Sequence, residues 1–227
     1  MATWRLWDCS GLRFPDAQAS QALQGSCLRA AGHGHTADTD EPFSFPIMTQ
    51  DTVDFIESLG LGPSNVVGWS DGAIIALLVT ISRPDLVKRL VCVSDPPNAS
   101  AMPVREREWL ASATPESFRK GQSALVKRYD DATPDGPAHF SVVFHKTMKM
   151  WLNEPDIQKE ELAGIAAPTL VMAGDRDAVI AEHTLELFRS IKNSQLCIIP
   201  GSTHFLLSEK AEATTRAILD FLLARLS

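Results

Sequence analysis

The sequence predicts an α/β fold with a mostly parallel sheet flanked by helices, and three observations carry that reading. Four short apolar runs have the length and composition of strands. The runs are near-continuous rather than alternating, as in parallel strands covered on both faces. Helical stretches lie between and beside them, giving the strand–helix–strand rhythm of a crossover-connected sheet. A length of 227 residues suits one domain with a sizeable core.

Taken in order, residues 1–31 form an atypical segment with no clear element. The stretch 48–59 sets Val53, Ile56 and Leu59 on one helical face. NVVGW at 65–69 is the first strand, and the helix after it, 73–81, is apolar nearly all round and expected to be deeply buried. LVCVS at 90–94 is the second strand. About 70 residues then pass before the third, TLVMA at 169–173, which is too long for a structureless loop in a compact domain. DPPNASAMP opens this stretch, while ATPESF and ATPDGPAHF supply helix-start and turn signals within it. Helical pieces at 104–112, 115–129 and 137–152 predict a helical cap over the sheet. An amphipathic helix at 182–191, a fourth strand QLCII at 195–199 and a last helix at 209–226 complete the chain. The expected division is a core made of 32–94 and 165–227, with a cap insertion at 95–164.

Hydrophobic content of 44% and charged content of 22% are those of an ordinary globular protein. A formal net charge of -7 without a basic cluster argues against nucleic acid or an anionic membrane surface as partner. The opening MATWRLWDCSGLRF lacks the apolar region and cleavage site of a secretory signal. Apolar runs such as 73–79 fall short of the roughly 20 residues of a membrane span. Cys9, Cys27, Cys92 and Cys197 show no C-x-x-C pairing, so neither disulfides nor zinc are expected, and a cytoplasmic location is.

Acyl transfer needs a hydroxyl, a base to take its proton and an acid to orient that base. In a doubly wound sheet these project from the C-terminal ends of different strands. Ser70 follows the strand at 65–69 and precedes a helix, and Gly68 and Gly72 flank it where a strained turn would crowd larger residues. Asp175 and Asp177 lie just past the strand at 169–173, and His204 just past the strand at 195–199. A lone G-x-S-x-G or a lone histidine is weak; Ser, Asp and His at successive strand ends are much less so.

The stretches GHGHTADTD, VVGWSDGAIIAL, RPDLVKRLVCVS, IAAPTLVMAGDRDAV and IIPGSTHFLLSEK, from about Gly32 onward, resemble the α/β-hydrolase superfamily, close to serine hydrolases with a small helical cap. The resemblance implies Ser70 as nucleophile, His204 as general base and, from the pattern G-x-x-D, Asp177 as acid. Two rivals for the acid are weighed: Asp175, which could face outward beside Arg176, and Asp95, at a strand end from which some members of the fold supply the acid. Serine at the elbow sets aside the dehalogenases and epoxide hydrolases of this fold. The Asp71 backbone N–H is expected as one oxyanion donor at a helix N-terminus, its side chain serving as a cap or pocket wall. Trp69 either lines the site or packs behind it. Met148, Met150 and Trp151 either line an acyl pocket or pack a helix face.

The resemblance breaks at the N-terminus. In the family roughly thirty residues separate a His-Gly oxyanion motif from GHG, and counting back from Gly32 runs off the chain. The first three strands of the usual eight are therefore expected to be missing, which makes this a truncated α/β-hydrolase fold. That would bare an apolar edge at 65–68, a pairing hazard. Either 3–9 or a second copy of the chain, in a homodimer, is expected to cover it, and a backbone amide within 9–11 is a candidate second oxyanion donor. His33, His35, Asp38, Asp40 and Glu41 invite a metal reading, but without a matched distal set no metal or other cofactor is expected. His139, His145 and His183 are expected at the surface or in cap packing. The function expected is a carboxylesterase acting on small or medium acyl esters; alternatives are a lactonase, thioesterase or amidase, or a degenerate hydrolase fold serving as a binding module.

Overall fold

The computed structural model describes residues 2–4, 26, 28–60, 62–95, 98 and 102–224. Within them one sheet has strands in the order β1 (Ala2–Trp4), β2 (Ser64–Trp69), β3 (Val87–Val93), β4 (Thr169–Arg176) and β5 (Ser194–Thr203), every neighbouring pair parallel. Val66 pairs with Ala2 on one side and Leu90 on the other. The helices are α1 (Phe45–Ser58), α2 (Asp71–Ser82), α3 (Val104–Ser112), α4 (Pro115–Gly121), α5 (Ser123–Ala132), α6 (Phe140–Asn153), α7 (Lys159–Ala163), α8 (Ala181–Ser190), α9 (Leu206–Glu209) and α10 (Ala211–Leu223). None of the described helices is long and apolar enough to cross a membrane.

The continuous apolar runs follow from burial on both faces. Successive side chains of a strand point to opposite sides of the sheet. Val66, Leu90, Cys92 and Val171 join the core formed with α1 and α2, while Val67, Val91, Val93, Leu170 and Met172 join the core under α9 and α10. Helix α2, apolar all round, lies wholly inside: Ala73, Ala76, Leu77 and Val79 are fully buried. Helices α3 to α7 fall between β3 and β4, and Leu110, Phe118, Val143 and Phe144 tie them into the same core as α2. Among the described residues, the one charged side chain buried in the sheet strands, Arg89 of β3, donates to the carbonyls of Phe221 and Ala224 at the C-terminus of α10. There the guanidinium meets the negative end of the helix and carbonyls with no partner inside it.

One expectation is met in part and two need correction. The edge of β2 is covered along Val66–Gly68 by β1, whose Thr3 and Trp4 belong to the stretch 3–9 expected there. That removes the physical reason for requiring a second copy there; 5–9, like the donor segment 9–11, lies outside the described residues. The helix expected at 115–129 is two, α4 and α5, broken at Gln122 (φ -121, ψ 42). The last helix is likewise two, broken at Lys210 (φ -130, ψ 45).

Candidate active site

The turn between β2 and α2 is as tight as a chain can make it. Ser70 has φ 55 and ψ -128, a left-handed conformation that costs a non-glycine residue of order 1–3 kcal/mol. Its N–H donates to the Val93 carbonyl at 2.9 Å, and its own carbonyl accepts from Ala73 and Ile74, so both neighbouring elements hold the strained residue. A Cβ on Gly68 would lie 2.1 Å from the Gly72 carbonyl oxygen, so only glycine fits there. The turn points the Ser70 side chain out of the sheet at the strand's C-terminal end.

His204, just beyond β5, brings Nε2 to 3.0 Å from Ser70 Oγ and Nδ1 to 2.8 Å from Asp177 Oδ1. A carboxylate only accepts, so Nδ1 carries the proton and Nε2 is the acceptor for the serine hydroxyl. The strand ends converge because Gly174 has no side chain: a Cβ there would lie 2.4 Å from the Ser202 carbonyl oxygen and 2.7 Å from that of Thr203. Asp177 is almost wholly buried and saturated with donors. Its Oδ2 accepts from Ser94 Oγ at 2.6 Å and the Gly174 N–H at 3.2 Å, and its Oδ1 from the Val179 N–H at 3.1 Å. Burial alone would raise its pKa. The His204 contact, with Ser94 and the Val179 N–H, outweighs burial and holds the carboxyl below the usual carboxylate range.

Neither rival carboxylate meets the histidine. Asp175 points away, its Oδ1 accepting from the Ser202 N–H at 3.1 Å. Asp95 is buried, accepts no hydrogen bond from a described residue, and is pushed up to about 8 by burial and by nearby Asp71. Asp71 is pushed up to about 7 by burial, against the pull of the Trp151 indole N–H, which donates to it at 2.6 Å, and of His204. Trp69 both lines the site and supports it: its Nε1–H donates to the His204 carbonyl at 2.8 Å, and the two rings lie 5.4 Å apart. Trp151 lines the site, but Met148 does not. That methionine is buried in the core on the inner face of α6, so its expected pocket role is corrected to packing.

Two hollows open from Ser70 and His204. The smaller, about 160 Å³, runs along α2 past Asp71 and Ile74; the larger, about 410 Å³, runs past Trp69 and Phe205 towards α3, α4 and α5. The histidine-rich loop is occupied otherwise. Asp38 accepts from Lys146 Nζ at 2.9 Å and pairs with His139 at 2.8 Å, while His33 is buried against Phe43 and pushed down to about 4 by burial. Among the described residues no group of three or more His, Cys, Asp or Glu converges to hold a metal.

Sequence reasoning missed Ser94 and the N–H of Trp69. Ser94, itself at φ 53, sits at the end of β3 beside Asp95; a hydroxyl at a strand end facing the catalytic crevice is the only sign it gave.

Comparison with known proteins bears on the family and the fold. Serine hydrolase BPHL of Mus musculus is 26% identical over 84% of this chain and 66% of its own length. Ethanol acetyltransferase 1 of Wickerhamomyces anomalus is 25% identical over 80% of this chain and 56% of its own. The chain thus spans less than two thirds of either relative. The enol-lactonase of Burkholderia xenovorans LB400 shares the fold at a TM-score of 0.73 and 18% identity, covering 98% of this chain and 90% of that one. The sequence model of the alpha/beta hydrolase family matches residues 2–217, so the chain belongs to this family.

Proposed function

We propose that the chain is a serine esterase that cleaves small or medium acyl esters through an acyl-enzyme on Ser70. The observation that carries the reading is the unbroken hydrogen-bonded run Asp177–His204–Ser70, with the proton on Nδ1 and Nε2 accepting from the Ser70 hydroxyl. The Ser70 hydroxyl gives its proton to His204 Nε2 as Oγ attacks the ester carbonyl, and Asp177, ionised at neutral pH, stabilises the imidazolium that forms. The Asp71 backbone N–H, in the first turn of α2, faces the oxygen that becomes negative and is reinforced by the helix dipole. The imidazolium then protonates the departing alcohol, and water, activated by the same histidine, releases the acid. The relative named as a serine hydrolase supports serine as the nucleophile. Turnover of p-nitrophenyl acetate and butyrate by the wild-type protein, abolished in Ser70→Ala, is the expected result. Folded protein that turns over neither, or a Ser70→Ala variant as active as wild type, contradicts the reading.

A further inference from the structure

Resting on Ser70 as the nucleophile, we propose that the substrate is divided unequally: a short, uncharged acyl group in the smaller hollow and a bulky apolar alcohol in the larger one. The assignment follows from where the protons must go. Once Ser70 Oγ has bonded to the acyl carbon, the bond from that carbon to the alcohol oxygen breaks and this oxygen takes the proton from His204 Nε2, so the alcohol must leave on the histidine's side. That side is walled by Trp69 and Phe205, whose rings lie 5.4 and 5.8 Å from the imidazole. Both rings line the larger hollow, which continues to Trp109, Phe118 and Leu125. Away from Ser70 and His204 its wall is mostly aromatic and aliphatic, with Glu106 and Gln122 as the polar exceptions, which favours a mainly apolar group.

The carbonyl oxygen, in turn, must aim at the Asp71 N–H, which places the acyl chain along α2. The hollow there is less than half as large and is closed by Phe45, Ile74 and Val179. Glu154 borders this hollow and not the larger one, and Glu106 borders both, so a carboxylate on the acyl group would meet like charge. Water finally attacks the acyl-enzyme, the short acid leaves, and Ser70 recovers its proton.

The test uses two isomeric esters, phenethyl acetate, with its ring on the alcohol side, and ethyl phenylacetate, with its ring on the acyl side. Each rate is normalised to hydroxide-catalysed hydrolysis of the same ester. Phenethyl acetate is expected to have a kcat/KM at least about tenfold higher, the scale on which a hydrophobic pocket discriminates. Trp109→Ala is expected to lower the phenethyl acetate to ethyl acetate ratio by about tenfold, a ratio that does not depend on the fraction of protein folded. Equal rates for the isomers, a preference for ethyl phenylacetate, or an unchanged ratio in Trp109→Ala overturns the division while leaving the esterase reading intact. Absence of turnover on these esters and on p-nitrophenyl acetate alike overturns both.

Discussion

Gly174→Ala tests how the acid and the histidine are brought together. The added Cβ would lie 2.4 Å from the Ser202 carbonyl oxygen, where ordinary contact begins at 3.4 Å. Both groups are backbone, so no side chain can swing aside and β4 and β5 must part by about 1 Å where they carry Asp177 and His204. A misplacement of about 1 Å in a catalytic group costs on the order of 10²-fold, and overpacking costs about 1–3 kcal/mol of stability. The assay is kcat on p-nitrophenyl acetate beside urea denaturation, at a temperature where the variant is folded. Gly201→Ala is the control. Gly201 has φ 67, so alanine is strained there, but its Cβ would meet only the tip of Lys210 at 3.9 Å. It should lose about 1 kcal/mol of stability with little change in kcat. Gly174→Ala with kcat within about twofold of wild type, or losing no more than Gly201→Ala, would refute the idea that this contact sets the geometry.

Asp177→Asn should lower kcat by about 10⁴-fold, since the amide no longer holds the histidine in its working tautomer. Asp177 has a folded pKa below its unfolded value, so its stabilisation is present above the unfolded pKa of about 3.9 and lost as pH falls through the folded one; the variant should flatten the acid limb of a stability–pH curve. Asp95 has the opposite sign. Its folded pKa of about 8 lies above the unfolded value, so it makes the wild-type protein lose stability as pH climbs from about 4 to 8, and Asp95→Asn should make that slope shallower, leaving the part due to Asp71. Denaturant midpoints at pH 5, 7 and 9 check it, and parallel curves for the two proteins would count against it. Arg89→Met should cost about 1.5–3 kcal/mol by taking charged donors from the end of α10, read from urea unfolding, with kcat of the folded protein retained.

The parallel sheet was legible because Val66, Leu90, Val91 and Leu170 are buried on both faces, and two-sided burial leaves an unbroken apolar run. Ser70, Asp177 and His204 were legible because this fold places reacting groups at strand ends, and strand ends can be found from the runs. What escaped notice depends on distant parts of the chain. Strand β1, foreseen only as one of two ways to cover the β2 edge, is three residues long and exists through its pairing with Val66–Gly68. Ser94 meets Asp177 across 83 residues. The break at Lys210 has no Gly or Pro to mark it; Glu209 turns back to the N–H and hydroxyl of Thr203 and holds α9 to the end of β5. On α6 both Met148 and Trp151 looked able to reach the site, and only the placement of that helix over Asp71 separates them.

The central claim, that Ser70 is the nucleophile, is tested most directly by a fluorophosphonate probe followed by mass spectrometry of the digested protein. One adduct on the peptide carrying Ser70 is predicted, formed by the wild-type protein and absent in Ser70→Ala. No adduct on folded wild-type protein, or an adduct that persists in Ser70→Ala, would contradict it.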